Sequence, residues 1–327
     1  MSLTLHEVRD RFGAEIEARL DRAFGEDSQR LLAVMGRAHM ATGGKRLRAL
    51  VPCWIAENLA GAGARAMDLG VGLELIHNAT LVHDDLQDGD THRRGEETLW
   101  RRFGEAQAIN AGDGLYFLGM DIIAGAPDGA ALVQPVSKAM LRVIEGQVME
   151  FQLQLPPGDP AHLGVSGAAW ERMAGGKTGA LFGACFRAGA VAGGWRGAEA
   201  DAAARYGESL GLLFQVQDDY LDLVGDKGRD LRGSDLAEGK LSFPVVWAFE
   251  NASPPLAAEL RAVVSTPREG TDDAMVARGI ALLEECGALD ATATWLREAL
   301  DDASRGPVAA LVPGLAEQIL APVRHAL

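Results

Sequence analysis

No run of about 20 uninterrupted apolar residues occurs in the 327-residue chain, so nothing in it is long enough to span a bilayer as a helix. The opening MSLTLHEVRDRFGAEIEARL is charged and amphipathic and holds no apolar run of signal-peptide length. A cytoplasmic protein is the expectation. Cysteine is nearly absent. Cys53, Cys185 and Cys286 lie far apart in no metal-ligand spacing, which points to a reducing compartment and ordinary core packing. Positive charge is scarce as well: Lys and Arg number 31 against 46 Asp and Glu, a formal net charge of −15. That balance argues against nucleic acid, whose binders show a basic face. A few cations converging on one pocket would still suffice for a phosphate ligand. Strand-like alternation is missing too, and the 13 prolines fall mostly in breaks such as LPPGDP at 155–160 and ASPP at 252–255.

What is present is helical periodicity. Apolar residues recur three and four apart, as in Leu69, Leu73, Ile76 and again in Leu210, Leu213, Val216. Many of the 40 glycines stand in AGG, GAG and AGA contexts, where small residues cap helices or let them approach closely. The pattern predicts one all-α domain over 1–327. Beyond Pro254 it gives amphipathic helix and no chemistry.

Two acidic clusters stand out. LVHDDLQDGDTHRRG holds Asp84, Asp85 and Asp88, and FQVQDDYLDLVGD repeats the spacing with Asp218, Asp219 and Asp222. On a helix, the first and third aspartates of D-D-x-x-D are one turn apart on one face, with the second beside them. Each triplet should therefore offer a fan of carboxylates on one surface. One copy in an acidic chain reads as a solvated helix face; two copies need compensating charge. Oxygen-only ligation with no Cys or His cluster suits Mg²⁺, which keeps waters and takes further ligands from substrate phosphates.

Basic residues accompany both clusters. GGKRLR supplies a glycine pair followed by Lys45, Arg46 and Arg48, and Arg93 and Arg94 follow the first triplet. GGKTG at 175–179 adds Lys177 and Thr178. It is not a Walker A loop, because that motif's first glycine would fall on Glu171. His77, two turns before Asp84 on the same face, reads as a ligand contact, while His83 points elsewhere and reads as structural.

In this order, GGKRLR, ELIHNATLVHDDLQDGDTHRRG, GGKTG, FQVQDDYLD and GSDLAEGKLSFP resemble the trans-isoprenyl diphosphate synthases, the polyprenyl synthetase family, over Gly43 to Pro244. The resemblance is strongest to geranylgeranyl and longer-chain synthases. It implies an all-α isoprenoid synthase fold with helices around a deep central cavity, as a homodimer, the two Asp-rich motifs facing each other at its mouth. It implies head-to-tail condensation of an allylic prenyl diphosphate with isopentenyl diphosphate. Asp84, Asp85, Asp88, Asp218, Asp219 and Asp222 would hold roughly three Mg²⁺ ions on the allylic diphosphate. Arg93, Lys177 and Lys240 would bind that leaving group. Lys45, Arg48, His77 and Arg94 would bind isopentenyl diphosphate, with Thr178 and Gln215 beside the developing allylic cation.

The match has departures. The family often carries a lysine shortly before the G-x-D that follows the second motif, where this chain has Asp230 in GDKGRDLRGSD; Lys227, Arg229 and Arg232 are the nearby cations. Gly95, Glu96, Glu97, Thr98 stand where the family commonly has Gly-x-Pro-Thr. Helical side chains lean toward the N-terminus, so Thr80 lies deeper than Asp84; with small Ala79 and Thr80 at that level, the resemblance implies products of about four isoprene units (about C20) or more, with Tyr116 and Phe117 as a lower stop. Rival readings are a class I terpene cyclase, a head-to-head synthase, a non-catalytic regulatory subunit and a generic acidic metal binder. The isopentenyl diphosphate cations oppose the first two. Retention of both triplets opposes the third, and the joint order of the motifs opposes the last.

Overall fold

The computed structural model describes residues 2–27, 29–225 and 232–327. Helices run in the order α1 (Leu5–Arg22), α2 (Leu31–Ala41), α3 (Leu47–Ala60), α4 (Met67–Gln87), α5 (Leu99–Phe103), α6 (Glu105–Gly125), α7 (Gly129–Gln154) and α8 (Gly167–Ala174). They continue with α9 (Ala180–Ala192), α10 (Gly197–Val224), α11 (Ser234–Ala237), α12 (Phe243–Asn251), α13 (Pro254–Val264), α14 (Asp273–Glu285), α15 (Ala288–Ala303) and α16 (Leu315–Leu320). Among the described residues the only strands are β1 (His92–Arg93) and β2 (Glu96–Glu97), paired antiparallel. The all-α expectation is what folds.

The helix limits follow local chemistry. Thr4 and Glu7 form a reciprocal cap at the start of α1, and Leu5, Val8, Phe12, Ile16 and Leu20 bury one stripe of that helix. LPPGDP lies between α7 and α8, and Pro254 takes the first position of α13. Pro52 is an exception, seated inside α3.

The chain forms two compact units. The first comprises Met1–Lys138, Leu181–Gly207 and Ala310–Pro313; the second comprises Ala139–Ala180, Glu208–Ala309 and Gly314–Leu327. Helices α7 and α10 each contribute residues to both.

In the first unit, α4 carries the first acidic motif and lies hard against α6. A Cβ on Gly72 would stand 2.5 Å from the Gly119 carbonyl, and one on Gly119 would stand 2.6 Å from the Gly72 carbonyl, so the two backbones touch where only glycine fits. Gly70 meets the Ala49 carbonyl of α3 as closely, at 2.4 Å. Trp54 is fully buried and donates its indole N–H to the Leu3 carbonyl (2.6 Å). In the second unit, Phe243 packs edge-on against Trp170 and tilted against Trp295, at 5.1 and 5.5 Å between ring centres. Leu236, Leu283, Leu289 and Leu296 are buried in that unit.

Candidate functional site

The first acidic triplet sits at the end of α4, and the helix ends on Asp88, whose N–H donates to the Asp84 carbonyl (2.8 Å). The three carboxylates do not share a surface. Asp84 and Asp88, one turn apart, are half-exposed, whereas Asp85 is 2% exposed and receives Arg93 through Nε (2.7 Å) and Nη2 (2.6 Å). The expected three-fold fan is corrected to a pair, because the third carboxylate lies on the inward side of the helix. Burial pushes the Asp85 carboxyl up, with the guanidinium opposing. Burial works against the Arg93 charge, but its bonds to Asp85 outweigh that and hold its pKa above the ordinary value. The β1–β2 turn places Arg93. Arg94 (φ 54°) and Gly95 (φ 85°) are both left-handed, the signature of a tight hairpin turn.

Behind the pair lies the basic cluster. Gly43 (φ 86°) and Gly44 (φ 139°) bend the loop before α3, and a Cβ on Gly44 would stand 2.9 Å from Arg94 Nη1. Arg94 itself donates to the Gly43 carbonyl. Arg46 holds the loop from the other side, donating to the Met40 carbonyl (2.8 Å), the Gly43 carbonyl (3.2 Å) and Glu17 (2.9 Å). Lys45 is exposed. Arg48 lies over the Phe182 ring at 4.5 Å; burial lowers its pKa, with the Glu74 charge opposing. His77 is half-buried, and desolvation followed by the charges of Arg48 and Arg93 holds its pKa well below the usual value, so it is a neutral imidazole.

Sequence reasoning passed over three side chains that frame this cluster. Glu74, 3% exposed, accepts from the Ala49 N–H (3.2 Å) at the start of α3 and from Asn78 (3.3 Å), and burial raises its pKa. His39, also 3% exposed, has its pKa lowered to about 3 by burial and then by the charge of Arg93. Their only signal in the sequence is polarity on an otherwise apolar face.

The product-length residues separate. Ala79 has no exposed surface and belongs to the core of its unit; Thr80 is half-buried and donates to the His77 carbonyl (2.7 Å). Tyr116 lies beside the His83 ring, 5.7 Å between centres. Phe117, expected as a lower stop, is 77% exposed and closes nothing within its own unit.

The second triplet lies in the last turns of α10 and divides more sharply. Asp218 is half-exposed. Asp219 is 4% exposed and accepts from the Phe243 N–H (2.7 Å) and from Gln215 Nε2 (2.9 Å). Asp222 is equally buried and accepts from Ser234 Oγ (2.7 Å) and the Asp235 N–H (3.0 Å), capping α11. Two of these three carboxylates are thus committed to holding the chain that follows them. Burial, then the nearby Asp235 charge, pushes Asp219 up to about 7.

GGKTG forms a π-helical turn, Gly175–Gly179, between α8 and α9. Thr178 Oγ1 donates to Gln215 Oε1 (2.7 Å), which completes a chain Thr178–Gln215–Asp219–Phe243 N–H and fixes which end of the Gln215 amide faces which neighbour. Lys177 Nζ contacts Glu150 (2.5 Å), and Lys240 Nζ contacts Glu238 (2.8 Å). Of the three cations near Asp230, Lys227 and Arg229, with Asp230 itself, lie outside the described residues. Arg232 donates to the Leu223 carbonyl and lies 3.9 Å from Glu284.

Among the described residues, no three His, Cys, Asp or Glu side chains converge as a ready-made metal cage. This donor set fits Mg²⁺ in the manner usual for that ion, one or two carboxylates with water and substrate phosphate completing the shell.

A model of the polyprenyl synthetases matches residues 29–282. The chain belongs to the polyprenyl synthetase family. It is 35% identical to the geranylgeranyl diphosphate synthase of Mycobacterium tuberculosis over 246 residues, 75% of this chain and 69% of that one. The crystal structure of geranylgeranyl pyrophosphate synthetase from Pyrococcus horikoshii superposes with a TM-score of 0.85 at 29% identity over 97% of both chains. That of polyprenyl synthase from Caulobacter crescentus, complexed with calcium and isoprenyl diphosphate, does so at 0.80 and 28% identity over 98% of this chain and 95% of that one. The fold is the isoprenoid synthase fold of these relatives.

Proposed function

We propose that the protein is a trans-prenyltransferase that condenses an allylic prenyl diphosphate with isopentenyl diphosphate head to tail, releasing diphosphate and giving a product of about C20 or longer. The carrying observation is that each Asp-rich helix ends with half-exposed carboxylates, Asp84 and Asp88 on one and Asp218 on the other, while Arg93 bonds Asp85 of the first motif and Thr178, next to Lys177, is joined through Gln215 to Asp219 of the second. The two units then make up one catalytic domain.

Asp84, Asp88 and Asp218 are the carboxylates that would hold Mg²⁺, with Asp85, Asp219 and Asp222 orienting the segments around them. The bound ions would supply neutralisation of the departing diphosphate. Arg93, Lys177 and Lys240 bind the same leaving group, so that negative charge developing on it meets fixed positive charge. Thr178 turns its proton toward Gln215, which leaves the hydroxyl lone pairs for the electron-poor allylic carbon. Lys45, Arg48 and Arg94 hold isopentenyl diphosphate, while neutral His77 donates a hydrogen bond without carrying charge. The double bond of isopentenyl diphosphate attacks the allylic carbon, and the proton then lost goes to the released diphosphate. A terpene cyclase would not need this second cationic set.

Incubation with isopentenyl diphosphate and each of the C5, C10 and C15 allylic diphosphates, with products sized by mass spectrometry, tests the reading; no elongation with any starter would end it. Thr80→Phe is expected to shorten the product by one or more units, and an unchanged distribution would remove Thr80 from the chain's path.

A homodimer is part of the same proposal. On α7, Leu141, Ile144, Val148 and Phe151 expose one apolar stripe, and on α6 Ile109 and Phe117 expose another. Sedimentation equilibrium should give twice the chain mass; a monomer at micromolar concentration would refute it.

A further inference from the structure

The three cations assigned above to the allylic diphosphate are all held by acids. Arg93 is on Asp85, which belongs to a recognised motif. Lys177 is on Glu150, which lies outside every motif of the sequence reading, and Lys240 is on Glu238, which stands within GSDLAEGKLSFP but was given no role there.

Both glutamates are placed by the backbone. A Cβ on Gly146 of α7 would stand 2.3 Å from the Lys177 N–H nitrogen, and one on Gly176 would stand 2.7 Å from the Arg142 carbonyl, so α7 lies against the π-helical turn backbone to backbone. Glu150, one turn beyond Gly146 on the same face, then necessarily meets the Lys177 side chain. Gly239 is left-handed (φ 69°) and presses on the Val264 carbonyl, while the Lys240 N–H donates to the Asp235 carbonyl (2.8 Å). That turn sets Lys240 beside Glu238, which also lies 3.5 Å from Arg268. The carboxylates are 15% and 9% exposed and the lysines 20% and 22%. Both pairs are therefore too sheltered to be screened away like surface pairs.

We infer that Glu150 and Glu238 are positioning residues that hold Lys177 and Lys240 and compete with the diphosphate for them, which keeps the released diphosphate from remaining bound. The inference rests on the reading of those lysines as diphosphate ligands. A purely architectural pair would lose affinity or nothing when broken; a competing acid, once neutralised, leaves one more positive charge for the anion.

The test is calorimetric titration of full-length protein with inorganic pyrophosphate and Mg²⁺, alongside steady-state kinetics. Glu150→Gln and Glu238→Gln should each tighten pyrophosphate binding by about three- to tenfold. The KM for the allylic substrate should fall, kcat should not rise, and inhibition by pyrophosphate should deepen. Unchanged or weaker binding overturns the inference. Should a Gln variant fail to fold, Glu→Asp, which withdraws the carboxylate by one methylene, decides by the same sign. Lys177→Ala and Lys240→Ala separate the two layers. If these do not weaken pyrophosphate binding, the reading of the lysines fails and takes the inference with it. If they do, and the Gln variants do not tighten it, the inference fails alone.

Discussion

Asp84→Asn and Asp218→Asn are each expected to lower kcat/KM by about a thousandfold or more, since each removes a carboxylate from charge stabilisation in the ionising step. Their thermal midpoints without metal should hold or rise, because both sit in acidic clusters where losing one charge relieves repulsion. Asp85→Asn should behave differently. Arg93 would keep its place in a half-buried pocket without its counter-charge, so stability should fall together with activity. Circular dichroism melts read beside kinetics distinguish the two patterns. A loss within tenfold for both Asp84→Asn and Asp218→Asn would show that the half-exposed carboxylates are not the working ones.

Acidification should unfold the protein in part through one residue. His39 binds a proton with an ordinary pKa of 6.5 in the unfolded chain but only at about 3 in the fold, where burial and then the Arg93 charge oppose it, followed by Arg94 and Arg46, while Asn78 favours it. The unfolded state therefore binds more protons between those values, so the stability His39 contributes is full above pH 6.5 and is lost as the pH falls toward 3. At about 1.4 kcal/mol per unit of pKa difference, the loss reaches roughly 5 kcal/mol. His39→Gln removes the titration. In urea melts at pH 8 and pH 4.5, the variant should lose roughly 3 kcal/mol less than the wild type over that interval. Parallel losses would mean that His39 takes up its proton in the fold as readily as out of it.

Much of this was legible in the residue order. Helix breaks at LPPGDP and ASPP, the two D-D-x-x-D motifs and the cations beside them all sit where spacing and chemistry place them. Less legible was which aspartate of a triplet faces water. Helical phase puts Asp84 and Asp88 together, and likewise Asp218 and Asp222, yet Asp222 is consumed as the cap of α11, a partner outside its own helix. Spacing reports one helix at a time. The same reason hid Glu150, an ordinary acid in an acidic chain until Gly146 brings its helix to Lys177, while Glu238 stood in view within GSDLAEGKLSFP without a role. Phe117, expected as a lower stop, lies on the exposed face of α6.

The way the first unit is assembled bears on how it is made. Its core draws on Trp54 and Ile76 from α3 and α4 and on Phe186 from far downstream, and Asn58 donates to the carbonyl of Leu311, further on still. A growing chain emerges from the ribosome N-terminus first. Helices α1–α6 therefore complete their packing only after residues 181–207 and 310–313 have been made, and a nascent chain stalled before them would be a natural client for chaperones.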